Sequence, residues 1–403
     1  MIRPVAIALA LAAAPLAAEA AQPAPRGEGT GRGESTEGLA MQAARGAMVT
    51  GRGQLVAYAR RFDLSGIPAY RPRHQVSGTI RLWGSNYISD GPLGGYWEAA
   101  FRKFHPGARF EWHMKTAQAT IPALAFDLAD VSIGRSTTFA ELELYERLKN
   151  HDPMTIDIAT GSYDVPGWNP GFGVVVNQDN PLDRITVEQL DGIFGAERSG
   201  GWEGTSWRPQ WARGPEKNIR SWGQLGLRGE WADRPINAYG LNLRYHQAAT
   251  LSDRVLRSSD KWNERMRTYA NYVTADGKLS RSMNADLAAD RYGIGIVASP
   301  TTDLTRGGAQ ATQKILPVAE TEAGPYVPYT LETLQDRSYP LYDHIFAYAD
   351  LVPGRPADPK VVEFLRFILS REGQEAVERD GKYLPLTAAV ASQGLGQLEK
   401  VDP

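Results

Sequence analysis

The chain has no cysteine. That excludes disulfide bonds, cysteine-based metal sites and a lipid anchor carried on a cysteine. It has only six histidines, scattered with no pair at metal-ligand spacing, so metal catalysis has little support. Neither sign of charge dominates: the formal net charge is −2, and nothing points to nucleic acid as the main partner. A Gly-x-Ser-x-Gly elbow and a phosphate loop ending in Gly-Lys-Ser/Thr are both missing. After the first twenty residues no apolar run approaches the length of a membrane-spanning helix, so the mature chain is not expected to be embedded in a membrane. No cofactor is expected either.

What the sequence has begins at its first residues. Met1-Ile2-Arg3 is a short positive start, Val5 to Ala18 is apolar and alanine-rich, and Ala18-Glu19-Ala20 is a small-x-small cleavage site. This pattern reads as a cleavable signal peptide over 1–20, which predicts a periplasmic or secreted protein. With 42% hydrophobic residues the chain is globular in composition, and it is long enough for two domains to be stabilised by their cores alone.

Residues 21–77 form a Gly/Arg-rich N-terminal extension, with Gly27, Gly29, Gly31 and Gly33 nearly alternating, and are expected to be flexible. Within it, Leu55, Val56, Tyr58, Phe62, Leu64 and Ile67 are apolar enough to pack on the main body. From Gly78 the pattern is regular. Thr79–Trp83, Ala108–Met114 and Ala129–Ile133 read as strands, separated by helices starting near Pro92 and Thr120–Pro122. Thr138 and Glu141 make a capping box for a third helix, as do Thr186 and Gln189 further on. Alternating strands and helices imply a parallel sheet covered on both faces, with solutes bound beyond the carboxyl ends of its strands. Near the C-terminus, Asp358 is a good N-cap, Pro359 fits the first helical position, and Val361, Phe364, Leu365 and Ile368 recur on one face.

Several of these segments carry a resemblance. Asp358 to Gln374 with Gly381-Lys382-Tyr383-Leu384-Pro385-Leu386, Gly84-Ser85 followed by Gly91-Pro92-Leu93, and Asp130 to Ser136 are among them. The others are Asn180-Pro181-Leu182 leading through Ile185–Gly195 to Trp202, then Tyr292-Gly293-Ile294-Gly295 and Tyr339-Pro340-Leu341-Tyr342. In order and spacing they resemble the phosphate-binding proteins that feed bacterial phosphate importers. The resemblance implies an α/β fold of two lobes, the type 2 periplasmic binding protein fold. Each lobe is then a mixed, mostly parallel sheet flanked by helices, and two crossover segments join them. The first lobe would comprise 78–165 with 325–403, and the second 166–324. Gly161, Gly167, Gly171 and Gly173 lie near the first crossing and are candidate hinge positions.

By the same resemblance the ligand would be phosphate, or a related oxyanion or phosphorylated solute, held between the lobes for ABC-type import. The chain would act as a monomer and deliver to a membrane permease, with no catalysis. An anion would be gripped by backbone N–H groups at helix starts, by hydroxyls and by an arginine. The first-lobe candidates are Ser85, Asn86, Ser89, Thr116, Gln118, Arg135 and Ser136, with Arg135 placed directly after a buried strand. In the second lobe the family's Arg-Asp-x-x-Ser-Gly-Thr-like segment is replaced by Leu241-Asn242-Leu243-Arg244-Tyr245-His246-Gln247, leaving Asn242, Arg244 and His246 as candidates. The carboxylate expected after the third strand is also missing, since Gly134-Arg135 stands there. Tyr87, Tyr239 and Tyr245 are placed to flank a ligand larger than phosphate. Five tryptophans (202, 207, 211, 222 and 231) alternate with arginines over 199–235, a composition that suits either a core or a partner surface. Two other readings stay open. One is a secreted scaffold of this fold that has lost phosphate affinity. The other is an enzyme built around Asp90, His246 and Ser85, for which no spacing speaks.

Overall fold

The computed structural model describes residues 61–163, 168–241, 246–269, 283–298 and 312–402, together with residues 58, 165 and 300. The signal-like segment and the glycine-alternating stretch lie outside them.

Fourteen short strands are formed among these residues. In chain order they are β1 (Gly78–Gly84), β2 (Ala108–His113), β3 (Val131–Gly134), β4 (Met154–Thr160), β5 (Phe172–Asn177), β6 (Ile185–Thr186) and β7 (Gly201–Glu203). Then follow β8 (Ser206–Arg208), β9 (Asn237–Leu241), β10 (Arg267–Tyr269), β11 (Gly293–Ala298), β12 (Gln313–Leu316), β13 (Val318–Ala319) and β14 (His344–Ala349). Two five-stranded sheets carry the architecture, in the orders β2-β1-β3-β14-β4 and β10-β9-β11-β5-β12. Each sheet is mixed. β1 runs parallel to β2 and β3, while β14 runs antiparallel to β3 and β4. In the second sheet β9 runs parallel to β10 and β11, while β5 runs antiparallel to β11 and β12. The antiparallel strands are the ones the chain threads in as it crosses between lobes. β5 opens the second sheet after the first crossing, and β14 re-enters the first sheet after the second.

Each sheet has its own core. Ile80, Leu82, Val131, Ile133, Ile156, Ile158 and the helix Pro359–Leu369 build the first. Val174, Val176, Leu190, Phe194, Trp222, Trp231, Ile294 and Ile296 build the second, joined by Tyr329, Leu334, Tyr339 and Leu341. Those last four residues follow position 325, so the stretch before β14 packs with the second core.

The expected helix starts form for the expected reasons. Thr138 and Thr186 both close complete capping boxes, and Asp358 accepts from the Lys360 N–H ahead of Pro359. The C-terminal helix differs from a one-sided amphipathic element: every residue from Val361 to Leu369 is buried, Glu363 and Arg366 included. The reason is the segment 62–76. The expected flexible extension ends before it, because Leu64, Ile67, Tyr70 and Val76 are buried in the first core. The Glu363 carboxylate accepts from the Arg73 and His74 backbone N–H groups, each at 2.9 Å, and from the Tyr70 hydroxyl. Tyr70 also meets His105 Nε2 at 2.7 Å. A buried carboxylate with this many donors is satisfied and ties the early segment across the helix.

Of the candidate hinge glycines, Gly161, Gly171 and Gly173 serve close packing. A Cβ at Gly161 would lie 1.9 Å from the Asn169 carbonyl oxygen, and one at Gly171 2.6 Å from Leu334. Gly167 lies outside the described residues. Among the described residues no helix is long and apolar enough to cross a membrane.

Candidate functional site

The carboxyl ends of β1, β2 and β3 are stitched together by their own backbones. The Ser85 N–H donates to the Ile133 carbonyl at 2.8 Å, and the Thr116 N–H to the Gly84 carbonyl at 3.0 Å. Gly84 makes this possible: its φ is +133°, and a Cβ there would stand 2.0 Å from the Ile133 oxygen. Only glycine tolerates that conformation and that approach. The three loops expected to hold a ligand therefore meet at one sheet edge, as the strand pattern predicts.

The candidate residues behave differently from one another. Ser85 is buried beside Tyr383, whose hydroxyl is pushed well above its ordinary value by burial and by the nearby Tyr87, Asp380 and Asp343. Asn86 and Ser89 are engaged in a short helical turn, Tyr87–Asp90, with Asn86 Nδ2 donating to Asp90 at 2.5 Å and Ser89 Oγ to the Asn86 carbonyl at 3.0 Å. Thr116 caps a turn of 3-10 helix, Ala117–Ala119, and its hydroxyl pairs with the exposed Gln118 side chain. Ser136 is half-buried, and its carbonyl accepts from Arg135.

Arg135 is 6% exposed. Its two terminal nitrogens form a fork on Glu141 with both contacts at 3.2 Å. The Tyr348 hydroxyl holds its backbone carbonyl at 2.7 Å. The Glu141 carboxylate thus has two duties, since it also accepts from the Thr138 N–H at 2.8 Å to close the capping box. Arg135 Nε has no hydrogen-bond partner among the described residues, and neither have the buried Ser132 Oγ, Trp168 Nε1 and Asp343 Oδ2.

In the second lobe, Asn242 and Arg244 lie outside the described residues. His246 opens the helix His246–Leu256, and its side chain lies outside them as well. That helix contributes a residue the sequence did not single out. Arg254, in its last turn, reaches the His344 imidazole and stacks over the Tyr342 ring at 4.2 Å.

Other residues at this edge also escaped sequence reasoning. Asp343 is buried, and burial pushes its carboxyl up to about 7 even though Arg254 and Arg135 both pull it down. Lys382 is buried against Asp380 at 3.4 Å and lies over the Trp168 ring at 5.6 Å, and Trp168 in turn packs on Tyr87. Both Asp343 and Lys382 sit within or beside family-like landmarks, Tyr339–Tyr342 and Gly381–Leu386, so the signal was present but pointed to fold rather than site. Among the described residues no group of three or more His, Asp or Glu could hold a metal ion. The edge gathers a buried guanidinium and a buried ammonium group, each paired with a carboxylate, together with one Nε–H that has no partner among the described residues and the buried Ser85 hydroxyl.

Two recesses lie elsewhere. An apolar cavity of about 10 Å³ between β9, the helix His246–Leu256 and Trp262 is too small for more than a water molecule. A recess of about 140 Å³ lined by Glu188, Asp191, Glu320 and Arg257 is mainly acidic.

The chain is similar to known proteins. Over 334 residues the chain is 25% identical to the phosphate-binding protein PstS of Pseudomonas aeruginosa strain PAO1, covering 82% of this chain and 90% of that one. It is also similar to a possible phosphate binding protein from Planctomyces limnophilus, at 18% identity and a TM-score of 0.46, covering 81% of this chain and 99% of that one. An ABC-type phosphate transport receptor from Vibrio cholerae is similar at 17% identity and a TM-score of 0.45, with 76% and 99% covered. The family profile described as the PBP superfamily domain matches residues 76–372, and with two mixed sheets joined by two crossings the chain belongs to that superfamily.

Proposed function

We propose that this protein is an extracytoplasmic receptor that captures phosphate, or a closely related oxyanion or phosphorylated solute, between its lobes for delivery to an ABC-type importer. The observation that carries the reading is Arg135: a guanidinium buried at the carboxyl edge of β3, with an unengaged Nε–H, beside loops that bring Ser85 and Thr116 to the same edge. The relative named as a phosphate-binding protein, which the chain matches over most of its length, supports the same ligand class. The signal-like start over residues 1–20 supports export, and the lack of catalytic spacing supports binding without chemistry.

Closure around an anion is a population shift. The ligand touches both lobes only in the closed form and stabilises that form by its differential affinity. A ligand at one hundred times its dissociation constant stabilises the native state by about 2.7 kcal/mol. Thermal-shift titration with phosphate, arsenate, sulfate and phosphorylated metabolites tests the reading. A saturable upward shift with phosphate or a phosphorylated solute supports it, and a flat response to the whole panel overturns it.

One observation favours a second reading, a scaffold of this fold that no longer binds phosphate. Arg135 spends both terminal nitrogens on Glu141. The flat titration above is the result that reading expects.

A further inference from the structure

The lobes touch through aromatic rings as well as across the polar edge. Phe139, the first residue of the helix Phe139–Lys149, stacks on Trp202 of β7 with ring centroids 4.1 Å apart and planes 28° from parallel. The first ring belongs to the lobe of β1–β4 and the second to the lobe of β5 and β9–β12. Trp202 is itself braced edge-on by Trp207 at 5.0 Å.

The hairpin that carries Trp202 is seated rigidly. The Trp202 N–H donates to the Arg257 carbonyl at 3.0 Å, and a Cβ at Gly201 would stand 2.5 Å from that oxygen. Arg257 directly follows the helix His246–Leu256, which carries Arg254. Hairpin and helix end are therefore one unit, and this unit reaches the first lobe twice. Trp202 meets Phe139, and Arg254 meets His344 of β14.

From this we propose that Phe139 and Trp202 form an interlobe latch, backed by Arg254, that holds the lobes together before any ligand arrives. Phe139 is four residues from Arg135, a reach of at most about 14 Å, so the latch closes beside the polar edge. A latch of this kind raises the fraction of molecules already in the binding-competent form, and apparent affinity rises in proportion to that fraction. Offset-stacked rings of this geometry are a known source of modest specific attraction. Releasing the latch should weaken ligand binding about twofold to tenfold.

The experiment compares the full-length protein with Trp202→Ala, Phe139→Ala and the conservative Trp202→Phe. Small-angle scattering in anion-free buffer is the first readout, and calorimetric titration with inorganic phosphate is the second. The expected result is a larger radius of gyration for both alanine variants without ligand, restored by Trp202→Phe, with weaker phosphate binding in the same two. Two variants on opposite lobes guard against a local folding defect, since far-ultraviolet circular dichroism identifies either one that has not folded. Anion-free scattering of the folded alanine variants that matches the parent overturns the latch, whatever phosphate does. Expansion of the variants with no phosphate binding by the parent supports the latch and sinks the ligand assignment instead.

Discussion

His344 Nδ1 lies 2.6 Å from Asp157 Oδ1, while its Nε2 faces the Arg254 guanidinium. A guanidinium can only donate, so Nε2 must accept, and the single ring proton sits on Nδ1 and is donated to Asp157. The fold therefore holds His344 neutral. Burial, with Arg254 and Arg337 nearby, pushes it down to about 4 despite the Asp157 carboxylate. Burial alone would raise Asp157, but His344 and Arg337 outweigh it and keep that carboxyl below its ordinary value.

The sign for pH follows. Between about 4 and 6.5 the unfolded chain protonates this histidine and the folded chain does not, so its contribution is present above 6.5 and is lost as pH falls. The full contribution is at most about 3 kcal/mol. Replacing His344→Asn should remove this slope. Urea denaturation of parent and variant at pH 7 and pH 4.5 checks it, and the expected result is a difference between the two that shrinks at the lower pH.

Asp343 works in the opposite direction. Its folded value of about 7 lies above the ordinary carboxylate range, so stability is lost as pH rises from about 4 through 7. Asp343→Asn removes the buried charge. The variant should match the parent near pH 4 and exceed it by a few kcal/mol at pH 8 in the absence of ligand. Denaturation at the two pH values decides this, and a variant less stable at pH 8 would mean that the carboxylate is fully compensated in place.

Glu141→Gln isolates the charge on Arg135. Glutamine keeps the third position of a capping box, so the helix start survives, but the carboxylate that occupies the guanidinium fork is gone. Phosphate binding should strengthen roughly tenfold, the worth of a charge-assisted hydrogen bond returned to the ligand. Calorimetry reads the change. Unchanged affinity would make Arg135 a brace for the helix rather than a ligand contact.

Glu363→Ala tests the tie between the early segment and the C-terminal helix. It strips the acceptor from the Arg73 and His74 N–H groups and from the Tyr70 hydroxyl in a buried setting. A loss of about 3 kcal/mol is expected, readable by chemical denaturation, with 61–77 becoming sensitive to proteolysis.

Much of the fold was legible because local signals agreed with the tertiary answer. Thr138 and Thr186 announced helix starts by side-chain chemistry that needs no distant partner. β1, β2 and β3 were readable as alternating or wholly apolar runs at the expected spacing. The site was less legible because it depends on contacts between residues remote in the chain. Asp343 is notable only because it is buried within the electrostatic reach of Arg254 and Arg135, and Lys382 only because it is buried over Trp168. The all-round burial of Val361–Leu369 was hidden for the same reason, since the segment that covers it lies about 290 positions earlier.

The placement of β14 between β3 and β4 has a consequence for the order of assembly. Every strand of the second sheet lies within residues 172–316, and its core is completed by Tyr329, Leu334, Tyr339 and Leu341 just ahead of β14. The first sheet begins 94 positions earlier, at Gly78, yet stays split in two until a strand ending at Ala349 is inserted. The portion made first is therefore finished last, with the edge of β3 unpaired in the interval. Closing so long a loop is slow, and until it closes that edge is an open template for strand pairing.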